Sequence, residues 1–205
     1  MPVDLTLFGQ GSAAPKAAPA RILYAGNLLA SKGVDILVTA VGLLRDRGVE
    51  CTLRLLGEGP LRGSLEHQVR SLRLEDRVAI VPFVPQTAMP AEYGAATVTV
   101  LPTRGQAEGL GLTLVEALLA GSAVVGTPAG GISEVVQHEQ TGLIVPDGDA
   151  TALAGALTRL LADPALRGRL TTAGQAHVRQ LYSLDSCVDR LLTHFDAATH
   201  DQPRH

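Results

Sequence analysis

Between Glu108 and Glu116 the chain reads EGLGLTLVE, two carboxylates enclosing two glycines, Gly109 and Gly111. The segment joins an extended run, residues 97–101, to a run with helical spacing from Leu112 to Ala120. The first N–H groups of a helix carry roughly +0.5 of a charge and readily accept a phosphate, and glycines let an anion approach the backbone closely. Carboxylates cannot serve a phosphate, but they accept hydrogen bonds from hydroxyl groups. The chemistry that fits is a ligand with phosphates in its middle and polyols at both ends.

The spacing alone is weak, because Glu50/Glu58 and Glu58/Glu66 repeat it. Only Glu108 and Glu116 bracket a glycine loop between an extended run and a helix, which places the first acid on the loop and the second about one turn into the helix. A cap acid plus a surface acid would leave the glycines unaccounted for.

Two other junctions carry unusual residues. In GNLLASKG, Gly26 to Gly33, Lys32 stands at the start of a helix, where positive charge is unfavourable unless an anion binds. Lys32 is one of two lysines against fifteen arginines. Taken alone it reads more readily as a solvated lysine beside a turn. The segment GEGP, Gly57 to Pro60, with Gly63 superficially resembles a dinucleotide fingerprint. It fails, because the third glycine comes one residue late, Pro60 occupies the turn, and no acid closes the next strand. A tight turn with proline near the first position of a helix accounts for it.

The elements that must position these residues alternate. Short apolar runs at 22–26, 52–56, 78–81, 98–101, 123–126 and 142–145 read as strands. Helical patterns fall between them, at 33–47, 61–74, 88–93, 112–120 and 132–136. Continuous apolar strands separated by helices predict a parallel sheet covered on both faces, a doubly wound α/β layer that binds ligands beyond the carboxyl ends of its strands. All three junctions then lie on that one edge. Residues 151–195 carry three helical patterns, broken at Asp163-Pro164 and near Ser183, and form a C-terminal helical extension.

Composition narrows the classes. With 205 residues and 46% apolar content the chain can bury one good core. A net charge of −3, dispersed rather than in runs, offers no footprint for nucleic acid. No apolar stretch reaches the roughly 18 residues of a membrane span, and the N-terminus lacks a basic region followed by a hydrophobic one, so a cytoplasmic location is expected. Cys51 and Cys187 sit in no metal-ligand or redox spacing and are read as reduced structural thiols. Residues 1–20 have the Gly, Pro, Ala and Ser composition of a flexible linker.

Four motifs in order resemble one family. LPTRGQAEGLGLTLVEALLAGSAVVGTPAGGISEVVQHEQTGLIVPDG, residues 101–148, resembles the donor-binding, C-terminal domain of retaining group 1 glycosyltransferases of the GT-B fold, whose two glutamates are separated by seven intervening residues (E-x7-E) in an EGFGL…EA setting. AGNLLASKG resembles that family's G-R-L-x3-K-G, LRLLGEGP its glycine turn, and VAIVPFVP its F-x-G-x-V segment. The resemblance covers about residues 21–195.

It implies a Rossmann-like domain over 21–182 that binds a nucleoside-diphosphate sugar, UDP-, GDP- or ADP-linked, as substrate, with no cofactor and no metal. Lys32 and Glu108 would be its catalytic residues, Lys32 on the diphosphate and Glu108 on the sugar hydroxyls. Backbone N–H groups of Gly109, Leu110, Gly111 and Leu112 would hold the phosphates, and Glu116 the ribose diol. Gly26, Asn27 and Gly57 would line the donor site, while Pro82, Phe83 and Val84 frame the base. Transfer would retain configuration, the leaving phosphate itself helping to deprotonate the acceptor.

Three residues depart from the pattern. Asn27 stands where the family usually has arginine, which removes a charge-assisted contact worth roughly 1.5–3 kcal/mol. Leu110 replaces a common phenylalanine, and Pro82 replaces a glycine and deletes an N–H near the base. PVDLTLF, residues 2–8, resembles the segment joining the two GT-B domains, so the acceptor-binding N-terminal domain, or a separate subunit, is expected as partner, with any membrane contact made through it. A crossover helix and tail at 183–205, with Leu184, Val188, Leu191 and Leu192 on one apolar face, would pack on that partner. The resulting function is the donor half of a hexosyltransferase acting on a glycan or lipid-linked acceptor, inactive alone. The alternative is a non-catalytic sugar-nucleotide-binding or interaction module, favoured by Asn27 and Pro82; an epimerase on the same fold ranks third.

Overall fold

The computed structural model describes residues 5–9, 15–106, 108–182 and 188. Six strands form one sheet: β1 (Arg21–Ala25), β2 (Thr52–Leu56), β3 (Val78–Val81), β4 (Val98–Leu101), β5 (Ala123–Gly126) and β6 (Leu143–Ile144). All pair in parallel, in the spatial order β3-β2-β1-β4-β5-β6. β4 and β5 are buried at every position, as strands covered on both faces must be. The one polar side chain in β4, Thr99, is reconciled with burial by a 2.8 Å hydrogen bond between its hydroxyl and that of Ser122.

Eight helices accompany the sheet among the described residues: α1 (Leu5–Gly9), α2 (Val34–Asp46), α3 (Arg62–Ser71), α4 (Met89–Ala95), α5 (Leu112–Leu119), α6 (Ile132–Val135), α7 (Ala150–Ala162) and α8 (Pro164–Tyr182). They form two groups, α2 with α3 and α7, and α5 with α1, α4, α6 and α8. This is the doubly wound, Rossmann-like α/β fold with helices after the last strand. Two helices of the C-terminal extension are present, and α7 starts where Asp149 caps the N–H groups of Thr151 and Ala152. The third expected helix, at 183–195, lies outside the described residues except for Val188, which is exposed. Cys51 is buried, which pushes its thiol up to about 11, and Cys187 lies outside the described residues.

The segment read as a linker contains ordered contacts. Phe8 is buried, its ring 6.1 Å from that of Tyr93. The Lys16 ammonium donates to the carbonyls of Gly94, Ala96 and Gly121 at 2.6–2.9 Å, and burial followed by the nearby Arg167 brings its pKa down to about 8. Linker composition did not reveal these contacts, because one phenylalanine and one lysine carry them. No helix among the described residues is long and apolar enough to cross a membrane.

Candidate functional site

β1 and β4 are neighbours, yet β1 connects onward to β2 on one side and β4 to β5 on the other. Where connections diverge in this way, a crevice opens at the carboxyl edge of the sheet. The β1–α2 and β4–α5 loops flank it, and these carry Lys32 and Glu108.

The two loops are bonded to each other. A 3-10 turn at Ala30–Lys32 precedes α2, and the Arg104 N–H donates to the Ser31 carbonyl at 2.7 Å. Lys32 Nζ then reaches Glu108 Oε2 at 2.7 Å, and the Thr103 hydroxyl donates to the same oxygen at 3.1 Å. The side chains of Lys32 and Glu108 are only 18% and 15% exposed. At that burial the attraction between them is screened less by solvent than in a surface ion pair. Tyr24, fully buried in β1, donates its hydroxyl to the Asn27 carbonyl at 2.7 Å. Burial, and then the charge on Glu108, hold that hydroxyl above the ordinary phenol range, so it stays a donor.

Glu116 lies in the second turn of α5 and is held from the α4 side. The Tyr93 hydroxyl donates to its Oε2 at 3.1 Å, and the Gln86 amide to its Oε1 at 3.3 Å. Burial raises the Glu116 pKa above the ordinary carboxylate value, and the hydrogen bonds from Tyr93 and Gln86 offset part of that rise. A carboxylic acid with a raised folded-state pKa binds more protons when folded, so the fold loses stability as pH rises from the unfolded value, about 4.3, through the folded one. Glu116→Gln should therefore melt above the wild type at pH 7, with the gap closing towards pH 4. Paired melts across that range check it; a gap independent of pH contradicts the desolvation account.

Gly109, Leu110, Gly111 and Leu112 lead into α5, whose N-cap is Gly111. The β5–α6 loop braces them: Gly131 N–H donates to the Gly109 carbonyl at 2.7 Å, and Gly130 N–H to Gln106 Oε1 at 3.2 Å. On the other flank, Gly26 N–H donates to the Leu56 carbonyl and Gly57 N–H to that of Val81. A Cβ on Gly57 would lie 1.9 Å from the Gly26 carbonyl oxygen, so this turn is glycine because two backbones touch. Helix α3 starts at Arg62, two residues after Pro60, with the Leu61 N–H taken by the Leu28 carbonyl. Pro82 and Phe83 are exposed after β3, and Val84 is half-buried. From there the chain turns through Gln86–Ala88, where the Gln86 amide meets Glu116, and enters α4.

The fold thus joins Lys32 to Glu108 and ties the 82–86 segment to Glu116. Sequence reading missed the groups that orient the acids: Thr103, Gln86 and Tyr93. It also missed Arg104, whose guanidinium bonds Asp35 Oδ2 at 2.7 Å beside the Lys32 turn, while Asp35 Oδ1 is buried with no hydrogen-bond partner. A buried tyrosine needs a partner for its hydroxyl, and that need was the available signal for Tyr93.

The chain is similar to known proteins in sequence and in fold. The profile of the family described as Glycosyl transferases group 1 matches residues 11–177. The alpha-D-kanosaminyltransferase of Streptomyces kanamyceticus is 32% identical over 170 residues, covering 83% of this chain and 44% of that protein. A GDP-mannose-dependent alpha-(1-6)-phosphatidylinositol monomannoside mannosyltransferase of Mycolicibacterium smegmatis is 32% identical, covering 75% and 42% respectively. Among solved structures, sucrose-phosphate synthase from Thermosynechococcus elongatus superposes with a TM-score of 0.79 at 29% identity, over 96% of this chain and 52% of that one. The chain spans less than half the length of these two sequence relatives. With this profile match, and with its glycine loop and paired acids at the switch point of a Rossmann-like sheet, the chain belongs to the group 1 glycosyltransferases of the GT-B fold.

Proposed function

We propose that the carboxyl edge between β1 and β4 binds a nucleoside-diphosphate sugar, and that the chain is the donor half of a retaining hexosyltransferase. The observation that carries this reading is the 2.7 Å Lys32–Glu108 pair beside the glycine loop that opens α5. It sets a cation, helix N–H groups and a hydroxyl-accepting carboxylate around one point. The diphosphate lies on Lys32 and on the N–H groups of Gly109 to Leu112. Glu108 turns to the sugar hydroxyls, Glu116 takes the ribose diol, and the 82–84 backbone borders the base. The name of the Mycolicibacterium relative, a GDP-mannose-dependent mannosyltransferase, supports a sugar nucleotide as donor.

In transfer the bond from the anomeric carbon to the diphosphate oxygen breaks as the bond to the acceptor oxygen forms on the same face. The acceptor proton passes to the departing phosphate, and Lys32 stabilises the charge that develops there. No protein nucleophile takes part. Residues 21–182 form the donor-binding unit, and an acceptor-binding domain or subunit completes the site. Calorimetry of the 205-residue chain against UDP, GDP and ADP tests the reading. Heat of binding with at least one, and no glycosyl transfer by the chain alone, are expected; no heat with any at millimolar ligand refutes it.

A further inference from the structure

The candidate ribose carboxylate is supported by a residue far from it in sequence. Helix α1, ahead of the first strand, packs against both α4 and α5, the helices that carry Tyr93 and Glu116. Its Phe8 is 2% exposed, and the Phe8 and Tyr93 rings meet at 6.1 Å with planes 53° apart. Tyr93 is itself 1% exposed, and it spends its hydroxyl on Glu116 Oε2 at 3.1 Å. A ring this enclosed cannot swing without moving either the phenylalanine or the carboxylate. We infer that Phe8 and Tyr93 are positioning residues for Glu116, so that the segment preceding the first strand sets the orientation of the carboxylate and, through it, nucleotide affinity.

This rests on the donor-site reading for its effect on affinity, though the buttress itself does not. The groups facing Glu116 are Tyr93 and Gln86, both from the segment leading into and forming α4, and Thr113 bears on the Tyr93 hydroxyl. Gln86 approaches from an exposed turn, whereas Tyr93 is locked from behind by Phe8. The coupling therefore runs through the tyrosine. A displaced α1 loosens Tyr93, and Glu116 loses the donor that favours its charged form and aims it.

The test uses the 205-residue chain with Tyr93→Phe, Phe8→Ala, Phe8→Leu and the Phe8→Ala/Tyr93→Phe double variant, in two measurements. In the first, carbon-13 NMR follows the Glu116 carboxyl through a pH titration without ligand. Its midpoint should rise in Tyr93→Phe, because the bond stabilising the carboxylate is gone, and rise in the same direction in Phe8→Ala. In the second, affinities for UDP, GDP and ADP should fall about tenfold in Tyr93→Phe and about threefold in Phe8→Ala, order-of-magnitude losses for one hydrogen bond and its support. The double variant should be no weaker than Tyr93→Phe alone, since both changes act through one group.

A Glu116 midpoint unmoved in folded Phe8→Ala, or losses that multiply in the double variant, overturns the inference. Should Phe8→Ala unfold, Phe8→Leu carries the same test with a smaller shift, and an unmoved midpoint there overturns it. A wild type that binds none of the three diphosphates refutes the donor-site reading, while the ligand-free titration still decides the buttress.

Discussion

Lys32→Met is expected to weaken nucleoside-diphosphate binding about 10- to 100-fold, the equivalent of roughly 1.5–3 kcal/mol for a charge-assisted contact. Two effects add. The diphosphate loses its cation, and Glu108, bonded to Lys32 at 2.7 Å, becomes an uncompensated negative charge beside the phosphates. The ion pair also makes the response to Glu108→Gln distinctive. In the free chain Lys32 is engaged by Glu108, so phosphate must compete for the ammonium. Neutralising Glu108 releases Lys32 and should leave the bare diphosphate bound as tightly as in wild type or tighter, while the added affinity contributed by the sugar is lost. Calorimetry with UDP against UDP-glucose, and GDP against GDP-mannose, separates the two. Equal losses for diphosphate and sugar nucleotide in Glu108→Gln would contradict the assignment of Glu108 to the sugar.

The largest stability effect is expected at Gly130→Ala. Gly130 has φ +51°, a left-handed conformation that costs a residue with a Cβ roughly 1–2 kcal/mol, and its Cβ would stand 1.8 Å from the Glu108 carbonyl oxygen. Backbone cannot yield as a side-chain tip does, so the clash must shift the loop that carries Glu108. The total is on the order of 3 kcal/mol, which for a chain of this size lowers the melting temperature by about 6–12 °C. Gly148→Ala is the control, since Gly148 has φ +71° with nothing within 4 Å of its Cβ, and only the conformational cost applies. Melting curves of both check the stability, and nucleotide affinity should fall in Gly130→Ala alone. Equal melting of the two variants would show that the loop tolerates displacement.

The sheet was legible because parallel strands covered on both faces leave unbroken apolar runs; β2, β3, β4 and β5 begin and end where their runs do. The edge strand β6 is shorter than its run, at Leu143–Ile144, where it pairs with β5 only at Val125 and Gly126. Lys32, Glu108 and Glu116 could be named as candidates because a cation, two acids and clustered glycines at strand ends are unusual in a purely structural role. Their orienters were not. Tyr93 sits 23 residues before Glu116 and Phe8 far earlier, and each reads alone as an ordinary core aromatic. Gly130 was equally silent, since only its approach to the Glu108 carbonyl, across a neighbouring loop, distinguishes it from a turn glycine.

The most direct test of the account is where a nucleoside diphosphate lands. Amide chemical-shift mapping of the 205-residue chain titrated with UDP, GDP and ADP should move Ser31–Gly33, Gly109–Thr113 and Glu116, with Pro82-flanking amides responding to the base. Shifts centred instead on the 320 Å³ cavity lined by Lys16, Arg167 and Gln175 near the amino ends of β4 and β5, or no shifts at all, would contradict it.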